Sequence, residues 1–210
     1  MSGRAAMLAR IRAAQGAAPV GEVVLGYRRE SGLGAEERFA LLGERLVDYG
    51  VCLTEVRDVA GLRAALGERL AALGYGRVAV PDDLPLDWVP QGVAACADFS
   101  LDDAALEAIP AALTGCAWAI AETGSIVMDG GAAQGRRGLT LLPDHHFCVV
   151  RAEQIVGSVP EAIARLEAAA AAGRAITFLS GPSATADIEF DRVVGVHGPR
   201  RLDVLIVAGP

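Results

Sequence analysis

The stretch VPEAIARLEAAAAAGRAITFLSGPS, residues 159–183, decides the fold. Val159–Ala172 is Ala-rich and predicts a helix with Ile163 and Leu166 on one face. Ala175–Leu179 is a short apolar run and predicts a strand, and Gly181-Pro182 then turns the chain. Helix, strand and sharp turn in close succession are the unit from which layered α/β domains are built.

The same alternation runs through the rest of the chain. Helices are expected at 4–15, 35–49, Val59–Leu73 and Asp102–Ala108. Strands are expected at Val51–Val56, Arg77–Val80, Leu113–Ala121, Ser125–Met128, Leu139–Leu142, Phe147–Val150 and Val204–Val207. Residues 16–34 carry Gly and Pro and read as an exposed arm, and Asp82–Pro90 as a loop. The fold class is α/β, a mostly parallel sheet flanked by helices, with a local antiparallel addition over Thr123–Val150. The division expected is a helical N-terminal appendage over 1–50 and an α/β domain over 51–210.

Composition removes several function classes. The net charge of −7 argues against general binding to nucleic acid or anionic membranes. No apolar run approaches the roughly 20 residues of a membrane span. The N-terminal segment has no continuous apolar h-region, so a cytoplasmic protein is expected. All 19 basic residues are Arg. Schiff-base, P-loop and general-base lysines are therefore excluded, and any cationic role falls to a guanidinium. Cys52, Cys96, Cys116 and Cys148 form no close pair, so no iron–sulfur or structural zinc site is expected in this chain. Cys52, Cys116 and Cys148 lie in apolar runs, where a buried reduced thiol is the ordinary reading.

Two segments gather the polar chemistry. In Ser180–Glu189 a strand gives way to a Gly-Pro turn, and Ser183 or Thr185 can start a short helix whose free N–H groups suit an anion. Gly181 allows the turn, and Asp187 lies near the same end. Ser183 and Asp187 would serve equally as caps. In Glu122-Thr123-Gly124-Ser125, a carboxylate and two hydroxyls follow an apolar run. Glu122 there is a candidate base or nucleophile, or an exposed side chain on a β-turn. Arg136 and Arg137 sit on a Gly-rich loop without the spacing of a nucleotide-binding fingerprint. They are the candidates to close over an anion. His197, framed by Gly195 and Gly198-Pro199, is the second proton-transfer candidate. A Ser183–His197–Asp187 triad can be written, but triads are defined by geometry and not by residue type. His145 and His146 are adjacent, so their rings should point apart on a strand.

These segments carry a family resemblance. Ala121-Glu122-Thr123-Gly124-Ser125, Leu141-Leu142-Pro143-Asp144-His145-His146, Ser180–Glu189 and Gly195-Val196-His197-Gly198-Pro199 resemble the lactate-utilization (LUD-domain) family of the LutC/YkgG type. Order and spacing agree over about residues 85–208. The resemblance implies a fold like that of glucosamine-phosphate deaminases, ribose-phosphate isomerases and coenzyme A transferases, the NagB/RpiA/CoA-transferase group. It implies a subunit of a system that oxidises L-lactate to pyruvate, with iron–sulfur clusters in partner subunits and no cofactor or metal in this chain. Ala184 stands where the family commonly has a larger, often basic residue. The alternative is a stand-alone enzyme acting on a small carboxylate, phosphate or acyl-thioester. Under either reading Glu122, His197 and Asp187 are the expected catalytic residues. Thr123, Gly124, Ser125, Arg136, Arg137, Gly181, Ser183 and Thr185 are the expected binding residues. Glu122, Thr123, Ser125, Ser183, Asp187 and His197 are expected to converge on one cleft.

Overall fold

The computed structural model describes residues 3–15, 26–182 and 198–209. Helices α1 (Gly3–Gln15), α2 (Ala35–Asp48), α3 (Val59–Leu73), α4 (Asp103–Glu107), α5 (Val159–Arg165) and α6 (Glu167–Ala171) alternate with ten strands. These are β1 (Cys52–Val56), β2 (Arg77–Val80), β3 (Ala94–Ala97), β4 (Ala111–Thr114), β5 (Trp118–Ile120), β6 (Ser125–Met128), β7 (His145–Arg151), β8 (Ile155–Val156), β9 (Thr177–Leu179) and β10 (Arg201–Val207).

The strands make two sheets. The large sheet has the order β1-β10-β7-β4-β2-β3, and every pairing in it is parallel. The small sheet has the order β8-β5-β6-β9, with β5–β6 and β6–β9 antiparallel and β5–β8 parallel. The expected antiparallel addition is thus the β5–β6 hairpin with β9, whereas β7 belongs to the parallel sheet.

Strand periodicity sorts the core. On β7 and β10, Phe147, Val149, Leu205 and Val207 face α3, where Leu62, Leu66 and Leu70 are fully buried. The intervening Cys148, Val150, Val204 and Ile206 face the other way, onto Leu42 and Leu46 of α2 and onto Ile126 and Met128 of the small sheet. A strand buried on both faces reads as a continuous apolar run, which is why Phe147–Val150 and Val204–Val207 show no alternation in sequence. The far side of the small sheet is closed by α5 and α6 through Ala162 and Leu166. The layers therefore run α3, large sheet, α2 with small sheet, α5–α6. By contrast, α1 buries no residue.

Several elements differ from expectation, each for a local reason. Leu113–Ala121 is not one strand. The chain leaves the large sheet after Thr114, Gly115 N–H donates to Ala133 O at 2.7 Å, and β5 resumes in the small sheet. Leu139–Leu142 is no strand either. Arg137–Thr140 forms a 3-10 turn, and the N–H groups of Leu141 and Leu142 both donate to Gly138 O. The helix expected over 159–172 breaks at Leu166 into α5 and α6. Strand β3 has weak strand formers in Ala94-Ala95-Cys96-Ala97 and exists through its pairing with β2. Cys116 and Cys148 are buried as expected, but Cys52 is exposed at the start of β1.

Candidate functional site

The turn after β5 is built by three constraints. The N–H groups of Ala121 and Glu122 donate to Val156 O and Gly157 O, so the pairing with β8 continues past the strand. Gly124 takes φ +61°, a left-handed conformation. A Cβ there would lie 2.7 Å from Arg45 Cβ on α2. Only glycine satisfies both the turn and the approach of the helix.

The turn aligns a chain of hydroxyls. Thr123 Oγ1 donates to Ser125 Oγ at 2.9 Å, and Ser125 Oγ lies 2.7 Å from Ser180 Oγ. Ser125 is paired opposite this point because β6 runs antiparallel to β9, with Ile126 facing Leu179. The two polar segments are therefore joined at their bases. Ser180 completes the contact, although sequence reasoning passed over it as a site residue. Its signal was its position directly before the Gly181-Pro182 turn. Gly181, at φ +93°, packs on Tyr49, and Gly198 lies 3.7 Å, measured from an added Cβ, from Pro182 O. Pro182 and Gly198, which flank residues 183–197 in sequence, thus meet beside Leu141. Ser183, Thr185, Asp187 and His197 lie outside the described residues.

Glu122 is partly exposed, and its carboxylate accepts a hydrogen bond from the Arg28 guanidinium. Arg28 belongs to the extended arm 26–34, which is pinned a second time at Glu161. The carboxylate of Glu161 accepts from Ser31 N–H at 2.7 Å, Gly157 N–H at 3.0 Å and Ser158 Oγ at 3.2 Å. Burial works to raise the Glu161 pKa. The backbone donors of Ser31 and Gly157 and the two hydroxyls outweigh it and hold the group down to about 2. Gly157 has no side chain because Ser31 occupies the space: a Cβ there would meet Ser31 Oγ.

The Gly-rich loop is stiff rather than receptive. Asp129 N–H and Gly130 N–H donate to Gln134 Oε1, and Gly131 N–H donates to Asp129 Oδ1. Ala133 N–H donates to Asp83, and Arg136 N–H to Asp98 Oδ2 at 3.0 Å. Arg136 Nε and Nη1 donate to Asp98 and Asp103, and Nη2 to Leu101 O. The expected closure of Arg136 over an anion is thus replaced by closure over Asp98, a fully buried carboxylate at the end of β3. Arg137 diverges from it. Its Nη1 donates to Thr140 Oγ1 at 2.6 Å, burial lowers its pKa, and no carboxylate pairs with it among the described residues.

The adjacent histidines do point apart. His146 Nε2 lies 2.8 Å from Thr114 Oγ1. Burial, then the charges of His145 and Arg137, lower its pKa to about 3, so it is neutral in ordinary conditions. His145 Nε2 lies 2.9 Å from Asp203 Oδ1, and Arg69 Nε donates to Asp203 Oδ2 at 2.7 Å. Burial opposes the Asp203 charge, but the hydrogen bonds from His145 and Arg69 prevail and its pKa falls below the usual carboxylate range. This group ties the N-terminal ends of β7 and β10 together. Among the described residues, no set of three or more His, Cys, Asp or Glu is placed to hold a metal ion. No described helix is long and apolar enough to cross a membrane.

Comparison with known proteins decides the family. The sequence model of the LUD domain matches residues 86–207, a span that begins before β3 and ends with β10. The chain belongs to the LUD domain family. It is 48% identical over 166 residues to lactate utilization protein C of Deinococcus radiodurans, covering 78% of this chain and 76% of that protein. It is 30% identical over 210 residues to lactate utilization protein C of Geobacillus thermodenitrificans, covering 90% and 84%. Among solved structures, a DUF162 family protein from Deinococcus radiodurans superimposes with TM-score 0.73 at 40% identity, covering 83% of this chain and 99% of that one. In this LUD domain, the hydroxyl chain and the Glu122 turn lie within the matched span, whereas the arm that reaches Glu122 precedes it.

Proposed function

We propose that this LUD protein acts in lactate utilization, as a subunit of a system that oxidises L-lactate to pyruvate with iron–sulfur partner subunits. The observation that carries the reading is the 48% identity to a lactate utilization protein C across most of both chains. The site supports it in chemical terms. The Thr123–Ser125–Ser180 hydroxyls form a polar line beside the Gly181-Pro182 turn, of a kind that hydrogen-bonds a small hydroxy acid or its carboxylate. Glu122, held by Arg28, is the nearest carboxylate in sequence to that line and the candidate for proton transfer. His197 and Asp187 are proposed to complete the site, with Gly181, Ser183 and Thr185 offering donors. The electron-transfer centres are assigned to partner subunits, because the four cysteines of this chain make no ligand set.

Deleting the gene in its host tests the reading. Growth on L-lactate should be lost while growth on pyruvate persists, and an affinity-tagged copy should restore growth and co-purify iron-containing subunits. Normal growth on L-lactate, in a strain with no second copy, would sink the pathway assignment. Rescue without any co-purifying partner would favour a stand-alone enzyme.

A further inference from the structure

A second concave site lies outside the hydroxyl line. The arm 26–34 and α5 enclose an open cleft of about 930 Å³. That is near the upper end of the roughly 300–1,000 Å³ typical of small-molecule sites. Its charged lining is uneven. Arg29, Arg38 and Arg165 all contribute, and among the described residues none is in ion-pair contact with a carboxylate. Two carboxylates line the cleft as well: Glu30, which makes no ion pair among the described residues, and Glu161, whose oxygens are both taken by the N–H groups of Ser31 and Gly157 and the hydroxyl of Ser158, so three arginines face two acidic groups.

The arginines keep donors in reserve. Arg29 stands 5.7 Å over the Tyr27 ring and Arg165 stands 5.0 Å over the Trp118 ring. A cation–π contact uses no hydrogen-bond acceptor, so the N–H groups of these guanidinia are not consumed by it. Arg165 uses one of them on Glu161 O at 3.2 Å. Arg38 Nε is buried with no hydrogen-bond partner among the described residues. A buried donor without an acceptor is unfavourable, and a bound anion removes that cost. The wall that α5 contributes has an apolar stretch: Val159 and Ile163 are large side chains left exposed there.

The geometry points to this cleft as a binding site for an amphiphilic organic anion: one carboxylate, phosphate or sulfonate head on the arginines, and an aromatic or aliphatic body along Val159 and Ile163. The head matches the unpaired cations, and the body matches the exposed apolar wall. Lactate, with three carbons, would leave most of the volume empty, so this site is separate from the lactate reading and does not rest on it.

Titration of the full chain with the fluorescent probe 8-anilinonaphthalene-1-sulfonate, beside the neutral N-phenyl-1-naphthylamine, tests the site. The sulfonate should bind at one site, at least tenfold more tightly than the neutral body. Arg38→Met with Arg165→Met should weaken the sulfonate at least tenfold and leave the neutral probe unchanged, whereas Ile163→Asp should weaken both. Unchanged sulfonate affinity in the double variant, equal affinity of the two probes, or no saturable site each overturns the assignment. If circular dichroism shows that the double variant is unfolded, Arg29→Gln on the exposed arm replaces it. That change should weaken the sulfonate at least threefold, and an unaltered affinity rejects the site.

Discussion

The Gly-rich loop 129–138 and the arm 26–34 both bring arginines to the surface, and they use them in opposite ways. Arg136 meets two carboxylates and a carbonyl, and the N–H groups around it are consumed by Asp83, Asp98, Asp129 and Gln134. Arg29 on the arm and Arg38 on the adjoining α2 make no ion pair among the described residues, and Glu161 beside them is held by the N–H groups of Ser31 and Gly157 rather than by an arginine. A loop rich in Gly and Arg is therefore not an anion cradle when it carries its own acceptors. An arginine becomes available to a ligand where the fold has left its charge uncompensated.

The contrast can be broken most forcefully at Asp98. Asp98→Ala removes a fully buried acceptor from both Arg136 N–H and Arg136 Nε. Urea unfolding should show a loss of about 3 kcal/mol, the scale for removing one partner of a buried pair. A loss below about 1 kcal/mol would mean that the loop is not held by this carboxylate.

Gly124→Ala comes next. It combines a left-handed backbone with a Cβ 2.7 Å from Arg45 Cβ, so α2 must shift. About 2 kcal/mol of destabilisation is expected, as for other overpacked sites. Thermal unfolding of the variant measures it, and a neutral result would show that α2 moves freely away from the turn.

The arm side is sharpened by pH. The folded pKa of Glu161 is depressed to about 2, so its contribution is fully present above its unfolded pKa of about 4.3 and is lost as pH falls towards 2. Glu161→Gln should cost about 1 kcal/mol at pH 7, allowing for solvent screening of a partly exposed group, and nothing at pH 2. The Asp203 pKa is depressed too, so it adds to the same acid limb, and Asp203→Asn should flatten the limb from the other end of the molecule. Stability curves from pH 7 to 2 distinguish these: a Glu161→Gln curve parallel to that of the unaltered chain rejects the anchoring of the arm.

The smallest effect on stability is expected at Ser180→Ala. It breaks one hydroxyl contact, and about 1 kcal/mol is expected. Lactate-dependent growth of a strain carrying it should fall well beyond what that loss of stability explains. Unimpaired growth would make the hydroxyl line a structural feature only.

Much of the fold was legible because local pattern and final structure agree. Val59–Leu73, Arg77–Val80 and Ser125–Met128 form with the expected bounds, since helical spacing, a closing Gly74 and compact apolar runs each define their own ends. The partition into two sheets was not legible. Residues 111–121 are apolar throughout, and the departure at Gly115 is dictated by a carbonyl 18 positions away in sequence, on Ala133. The site was legible as two polar turns, and Ser125 and Ser180 bring those turns into contact. The commitment of Arg136 was not, because it depends on Asp98 being carried to the same place by β3, a strand with little strand propensity. The exposure of Cys52 escaped for a similar reason: it opens an edge strand of the sheet, where apolar surroundings in sequence do not mean burial in space.

One feature of the large sheet bears on how the chain is made. Strand β10 is the last of the sheet to be synthesised, yet it lies between β1 and β7, and among the described residues β1 has no other partner. During vectorial synthesis, β1 must wait with one apolar edge uncovered until residues up to Val207 have left the ribosome. An interrupted message would yield a polypeptide in which β1 lacks this partner and the apolar faces of α2 and α3 are only partly covered. Such a product would be recognised by the cell's proteases and chaperones as unfinished, which places quality control of this sheet on its last-made strand.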